Sequence, residues 1–543
     1  MPPKPDRLEC TTIYRGLPGD GFLEFIRNFS GAAAADPFGT WLILPTNRLV
    51  RKVLDHLAIA GIPVVSSRIC TLSGFCRIYF EDHRTTSRLL SKGESGLLLS
   101  RVLTDNRARL PVFFTRNRPS SGTIDDLRLF ISVITRRKIV FPECLLDLES
   151  PKSNQIDLVS RSYHDFLLEF DLLDADTILD WTIDQISAAG SFGHVFVYGL
   201  FDPEPLEQDL LSAIRTNSSA FFQVIPTGAD PVLFRKPEPW LPDSGDHVPI
   251  PVSSPVSESL SGLFASDERI DTGGKLLAAT FSSRYNEIVS IAGEICRLRE
   301  SGDLYSSIAV AFPDVRTQIP VVDEIFADFG IPWRSATGTR LSRSPVTGFL
   351  TGILRLVSDR YPRDGVVQLA GSPYFRQGAG YEALSVRELD TVSRLAKVEG
   401  EKTGWLHGLE RYLVQAGDEN RNATTPYAKE MVERVLSGIK RLFEDLRPLE
   451  GQKTVREHQK NFSDLMDRWG LFDLPSSPGG DTGPEERASL EAFRKCLHGL
   501  DRAAGLVPDE TVDAGVFLSI LSALIKETEV PVTTDRAGVA VLG

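Results

Sequence analysis

Three times in the first eighty residues, a short apolar run is followed by an amphipathic stretch. "TTIYRG" precedes "FLEFIRNF". "GTWLILPTNRLVRKVLDHLAIAG" repeats the unit, with an apolar run at Trp41–Leu44 and then Leu49, Val53, Leu54 and Leu57 at helical spacing. "IPVVSSRICTLSGFCRIYF" gives it again. Strands that alternate with helices must pair parallel, because the connecting helix carries the chain back to the edge where it began. The strand pattern returns at "GHVFVYGL" and "SSAFFQVIP", and a second block starts near Leu276. There Ile288, Ile291, Ala292, Ile295 and Leu298 define one helix face, with Gly302 as its stop. The strand "SIAVAF", a helix faced by Val322, Ile325, Phe326 and Phe329, and the strand "IPWRSA" follow. The stretches around 85–190 and from "SPVTGFLTGILRLV" to about 526 read as helical. The predicted class is α/β, with two parallel-sheet domains and large helical insertions. The closing "AGVAVLG" implies a strand that ends an incomplete second domain.

A chain of 543 residues exceeds a single core, so several domains are expected. The net charge of -13 argues against a uniformly basic DNA-coating protein and leaves room for a local basic groove. Six scattered cysteines, Cys10, Cys70, Cys76, Cys144, Cys296 and Cys496, form no C-x-x-C pair, which predicts a reducing compartment and no cysteine metal site. The opening "MPPKPDRLEC" has no apolar core of a secretory signal, and "VDAGVFLSILSALI" is too short to cross a bilayer. The expected location is therefore cytoplasmic, with no membrane partner. The eight histidines show no H-E-x-x-H or other ligand spacing, so none is assigned to metal. Pro, Ser and Gly dominate "PTGADPVLFRKPEPWLPDSGDHVPIPVSSPVSES", which reads as a linker.

Within "RGLPGDGFLEF", Gly16 and Gly21 have the spacing of a phosphate-binding loop, with Gly19 between them. Such a loop presents backbone N–H groups to phosphates, a Lys to the β/γ oxygens and a Ser/Thr hydroxyl to Mg²⁺. Phe22 and Leu23 stand at those last two places and supply neither charge nor ligand. The bland alternative is a glycine-rich turn. "VYGLFDPEPLEQDLL", Val197–Leu211, can be laid on the Walker B segment of superfamily I helicases, with Val197, Asp202, Pro205 and Leu206 in register. Tyr198 and Gly199 then occupy the places of the magnesium-binding Asp and the catalytic Glu, and Phe201 replaces a Gln. "LILPTNR" resembles the motif whose P-T turn touches DNA in UvrD-like helicases. "ICTLSGFCRIYF" resembles the following T-x-H-x-F segment, with Ser73 at the His. "YSSIAVAFPDV" resembles I-A-V-L-x-R, with Pro313 at the arginine that contacts the γ-phosphate.

Together these motifs resemble the helicase-nuclease subunit family called AddB or RexB, the stretches "VYGLFDPEPLEQDLLSAI" and "SPVTGFLTGILRLV" most of all. The resemblance implies an often inactivated superfamily I helicase core, two RecA-like P-loop-type domains, and a C-terminal PD-(D/E)XK nuclease. It also implies work beside an active AddA/RexA-type helicase subunit in the resection of DNA double-strand ends. Mapped on that scheme, 1–84 with 185–228 form the first RecA-like domain and 85–184 its helical insertion. A linker at 229–272 follows. Residues 273–365 open the second RecA-like domain, 366–526 form its insertion, and 527–543 return as a truncated strand. No PD…(D/E)-x-K run is present, so the chain is expected to be an N-terminal part. The nuclease magnesium and iron–sulfur cysteines of the family would lie beyond it. No catalytic residue, metal or cofactor is expected here.

The remaining expectation is contact with single-stranded DNA or duplex ends. Thr46, Asn47 and Arg48 follow a strand end and can donate to phosphate. "RVLTDNRARLPVFFTRNRPSSG" interleaves Arg101, Arg107, Arg109, Arg116 and Arg118 with Phe113 and Phe114, so cations could track phosphates and rings could stack on bases. The alternative there is a solvated loop anchored by its phenylalanines. The cluster Arg136–Lys138 suits a helix C-terminus. Two other functions stay open: an ATPase that recruits Asp20 or Asp202 for metal, and an interaction scaffold with no DNA role.

Overall fold

The computed structural model describes residues 10–16, 21–83, 86–114, 121–139, 151–226, 246–250, 276–335, 338–378, 381, 384–416, 429–471, 484–504, 511–530 and 538–542. It divides into two compact units, Met1–Ser91 with Val102–Thr280, and Lys92–Arg101 with Phe281–Gly543. Gly19, Asp20, Arg116, Arg118 and Cys144 lie outside the described residues.

In the first unit the strands are β1 (Cys10–Gly16), β2 (Trp41–Leu44), β3 (Ile69–Thr71), β4 (Arg88–Leu89), β5 (Leu172–Leu173), β6 (Phe192–Val197), β7 (Ser218–Pro226) and β8 (Asp246–Pro249). Six of them form one sheet in the order β3-β2-β6-β7-β1-β8, with every neighbouring pair parallel. β8 falls inside the Pro/Ser-rich stretch read as a linker. There Asp246–Pro249 pairs with Thr12–Arg15 and extends the sheet edge.

The helices up to residue 216 are α1 (Phe22–Ala35), α2 (Asn47–Ile59), α3 (Leu72–Asp82), α4 (Lys92–Asp105), α5 (Ser121–Arg136), α6 (Pro151–Glu169), α7 (Thr177–Ala189) and α8 (Pro205–Thr216), of which α4 belongs over Lys92–Arg101 to the second unit. Connections β1–β2–β3 run one way along the sheet and β3–β6–β7 run back. Right-handed crossovers therefore place their helices on opposite faces. The two buried clusters follow this division. Leu42, Leu44, Phe196 and Val224 face α1 and α2 through Phe25, Phe29, Val53 and Leu57. Trp41, Ile43, Val195 and Val197 face α3, α7 and α8 through Phe75, Ile186, Leu210 and Ile214. Alternate residues of each strand thus go to opposite faces, as the pleat requires. Both faces are apolar because both are covered.

The second unit has a smaller parallel sheet of β9 (Ala309–Ala311), β10 (Trp333–Ser335) and β13 (Val539–Leu542), in the order β10-β13-β9. Val539–Leu542, the strand-like end of the sequence, is its central strand. β11 (Thr339–Arg340) and β12 (Glu529–Val530) form an antiparallel pair. Helices α9 (Arg284–Glu300) and α10 (Val315–Asp328) bury Ile288, Ala292, Ile295, Val322, Ile325 and Phe326 against the three-stranded sheet. Gly302 has φ +105°, the left-handed conformation that ends α9. Leu298 is half-buried, and Phe329 departs from the predicted face: it caps α10 and is 42% exposed, because Gly330 at φ +64° turns the chain away.

A large helical core completes this unit. The helix Pro345–Ser358 buries Val346, Leu350, Ile353 and Leu354 there, with Trp405, Phe462, Trp469, Phe493 and Phe517. "SPVTGFLTGILRLV" therefore packs with the helices of 366–526 rather than with the sheet it follows in sequence. No helix among the described residues is long and apolar enough to cross a membrane. Leu350 has no exposed surface, so Leu350→Ala should lower the stability of this unit by about 2–5 kcal/mol. The expected outcome is an earlier urea midpoint at unchanged slope.

Candidate functional site at the carboxyl edge of the first sheet

β1 and β7 are neighbours whose outgoing connections run in opposite directions. Open α/β sheets bind ligands at such a switch point, outside the carboxyl ends of the strands. That edge gathers residues far apart in sequence: Gly16 at the end of β1, Gly21 and Phe22 at the start of α1, Thr46–Arg48 after β2, Ser73 after β3, and Tyr198–Asp202 after β6.

Its chemistry is aromatic. The rings of Phe22 and Tyr198 lie 4.8 Å apart, and those of Phe25 and Tyr198 5.9 Å. Phe25 contacts Phe196 at 5.4 Å, and Phe196 stacks on Phe222 at 4.4 Å. Phe201 reaches Tyr198 edge-on at 6.3 Å and is 42% exposed. Burial pushes the Tyr198 hydroxyl above its usual pKa, which favours the neutral phenol. The places read as lysine and magnesium-binding carboxylate are thus occupied by two rings that touch.

Ile250, next after β8, explains the glycines. Its N–H donates to the Arg15 carbonyl at 2.7 Å, and its side chain packs against the α1–α2 cluster. A Cβ at Gly16 would stand 2.5 Å from the Ile250 Cβ, and one at Gly21 2.8 Å from its Cγ2. Both glycines are therefore required by the approach of an isoleucine. No sequence signal marked Ile250, because it sits in a Pro-rich stretch without periodicity. Gly199 has φ +81°, and a Cβ there would be 2.7 Å from the Pro45 ring. A glutamate at 199 would meet both strain and collision.

The polar candidates at this edge have local structural roles as well. The Thr46 hydroxyl caps α2 by accepting from the Leu49 N–H at 3.2 Å. Ser73 lies 3.2 Å, oxygen to oxygen, from Thr71, whose hydroxyl accepts from the Gly74 N–H. Asn47, Arg48, Leu23 and Asp202 are exposed. Arg107 and Arg109 form an exposed 3₁₀ turn after α4. The Arg107 guanidinium lies over the Phe114 ring at 5.5 Å, and Phe113 is half-buried. Pro313 is exposed after β9 in the second unit.

The basic run Arg136–Lys138 is neutralised internally. Arg136 contacts Asp176 at 2.6 Å, Glu207 at 3.4 Å and Glu204 at 3.5 Å, and Arg137 reaches Glu204 at 3.7 Å. Lys138 pairs with Asp209. Burial opposes the Arg136 charge, and its carboxylates outweigh that and lift its pKa. These groups tie α5 to α8. Burial likewise pushes the Cys70 and Cys76 thiols up to about 12, so neither is a thiolate at neutral pH. Among the described residues no group of three or more His, Cys, Asp or Glu could hold a metal ion. The described part of the edge thus carries two rings and the Ile250 side chain, with no carboxylate at 198 or 199.

No protein-family model matches the chain. A curated protein from Clostridium perfringens, one of the ATP-dependent helicase/deoxyribonuclease B subunits, is 21% identical over 274 residues, 48% of this chain and 23% of that protein. Its counterpart from a second strain of the same species matches to the same extent. The match thus spans about a quarter of the length of these relatives. The similarity is distant, and it supports a link to helicase/deoxyribonuclease B subunits on half of the chain.

Two measurements check the geometry. Gly199→Ala should cost at least ~1–2 kcal/mol in stability through its left-handed backbone alone. A double-mutant cycle of Phe22→Leu and Tyr198→Leu should return a coupling of roughly 0.5–1.5 kcal/mol. A coupling near zero would remove the ring contact from the account.

Proposed function

We propose that this chain is the helicase-like part of an AddB/RexB-type subunit, a scaffold that binds DNA during the processing of double-strand ends and does not turn over ATP. The observation that carries the reading is the Phe22–Tyr198 contact. Two rings stand where a nucleotide-handling member of such a family needs a cation and a carboxylate. The ordered series of helicase-like motifs and the distant similarity to helicase/deoxyribonuclease B subunits support the same reading.

In this account the first sheet keeps its architecture because α1 and α2 must be held against it. Thr46, Asn47, Arg48 and Ser73 then offer a polar row to DNA along an edge whose nucleotide chemistry has been replaced by packing. Hydrolysis of ATP falls to a separate active helicase of AddA/RexA type. Arg107, Arg109, Phe113 and Phe114 form a further DNA-facing candidate on the helical part.

Calorimetry with Mg·ATP should give no binding heat, and micromolar affinity would overturn the inactive-core reading. Asp202→Ala should leave any DNA-stimulated phosphate release unchanged at background. End-bearing DNA should bind with an affinity that falls linearly on a log–log plot against salt. Binding without a salt slope would instead favour a scaffold with no DNA role.

A further inference from the structure

The second unit contains a cavity of about 570 Å³, a size typical of ligand pockets. It is lined by the segments that leave the carboxyl ends of two parallel strands: Asp314–Thr317 after β9, and Gly338–Arg343 after β10. Carboxyl ends are where open α/β sheets place ligands. Part of its wall is apolar, built from Ile319 and Pro320 of α10 and from the half-buried Trp333 at the start of β10.

Its charges have both signs. Arg316, Arg340 and Arg343 supply cations. Arg316 is held by Glu529, and Arg343 donates to the Arg316 carbonyl at 3.1 Å. Arg340 and Arg343 are exposed on consecutive short elements, β11 and the 3₁₀ turn Leu341–Arg343. Asp314, Asp323 and Glu486 supply carboxylates, and Glu486 accepts from the Tyr374 hydroxyl. A simple anion would be repelled by three carboxylates, and an aliphatic ligand would match none of these charges. A nucleotide unit answers to every part. Its base is a flat aromatic with N–H donors for the carboxylates, and its phosphates suit guanidinium groups.

We propose that this pocket holds one unstacked nucleotide of a single DNA strand, with the base on Trp333 and the flanking phosphates on Arg340 and Arg343. The proposal rests on the DNA-binding reading above and names a contact that reading does not contain. Single strand is specified by stacking: a base inside a duplex has both faces covered and must be flipped out to meet a protein ring.

The test is anisotropy of labelled oligo(dT) with the full chain across a salt series. Arg340→Ala with Arg343→Ala removes two exposed side chains and should reduce the log–log salt slope by about 1.4, or 0.7 per single-strand phosphate contact. Trp333→Ala should weaken binding roughly 5- to 150-fold, the loss of one stacked base, whereas Trp333→Phe should retain most of the affinity. Circular dichroism melts identify a variant that has lost its fold, and the Phe variant keeps the stacking question answerable. Wild-type binding with an unchanged slope and affinity in the arginine double variant would overturn the pocket and leave the DNA-binding reading intact. Absence of oligonucleotide binding by the wild-type chain at every salt concentration would overturn both.

Discussion

A strand that pairs parallel on both sides and carries apolar residues on both pleats must be covered twice, and the first unit is arranged around meeting that demand. Trp41 and Ile43 point one way from β2, and Leu42 and Leu44 the other. Each face then needs its own helices, so the chain must run out along the sheet and back. That reversal creates the switch point between β1 and β7. The candidate site follows from how a two-faced strand is buried, before any chemistry is considered.

The same burial decides what the edge can do. Helix α1 is held by Phe25 and Phe29 against Phe196, and the aromatic series runs on through Tyr198 to Phe22. A charge at 22 or 198 would stand among rings, where an unpaired ion is costly. In the proposed reading, the loss of cation and carboxylate is thus a concerted change in one packed layer, although positions 22 and 198 are far apart in sequence. Ile250 belongs to the same layer, and it supplies a reason for two glycines that has nothing to do with phosphate.

Charge is handled by similar economy. The most concentrated basic run in the first unit, Arg136–Lys138, faces carboxylates from α8 and from the start of α7, so its contribution is to hold helices together. Partly buried pairs of this kind resist salt better than exposed ones. The cavity of the second unit mixes signs instead, and its polarity fits a ligand that carries both donors and an anion.

The sequence alone determined the class of the fold. Short apolar runs marked the strands "WLIL" and "GHVFV", and period-3.6 patterns marked the faces of α2 and α9 with the stop at Gly302, because each depends on neighbours in the chain. The order of the motifs also grouped positions 16, 21, 22, 198 and 199 before any contact between them was visible. Tertiary structure decided the rest. That Val539–Leu542 is a central strand, that Asp246–Pro249 joins the first sheet, and that the helix Pro345–Ser358 packs with distant helices depend on partners hundreds of residues away or on a segment without periodicity. Whether a glycine serves a phosphate or an isoleucine, and whether an arginine serves DNA or a carboxylate, is settled by what stands opposite it in space. Local sequence carries no record of that neighbour.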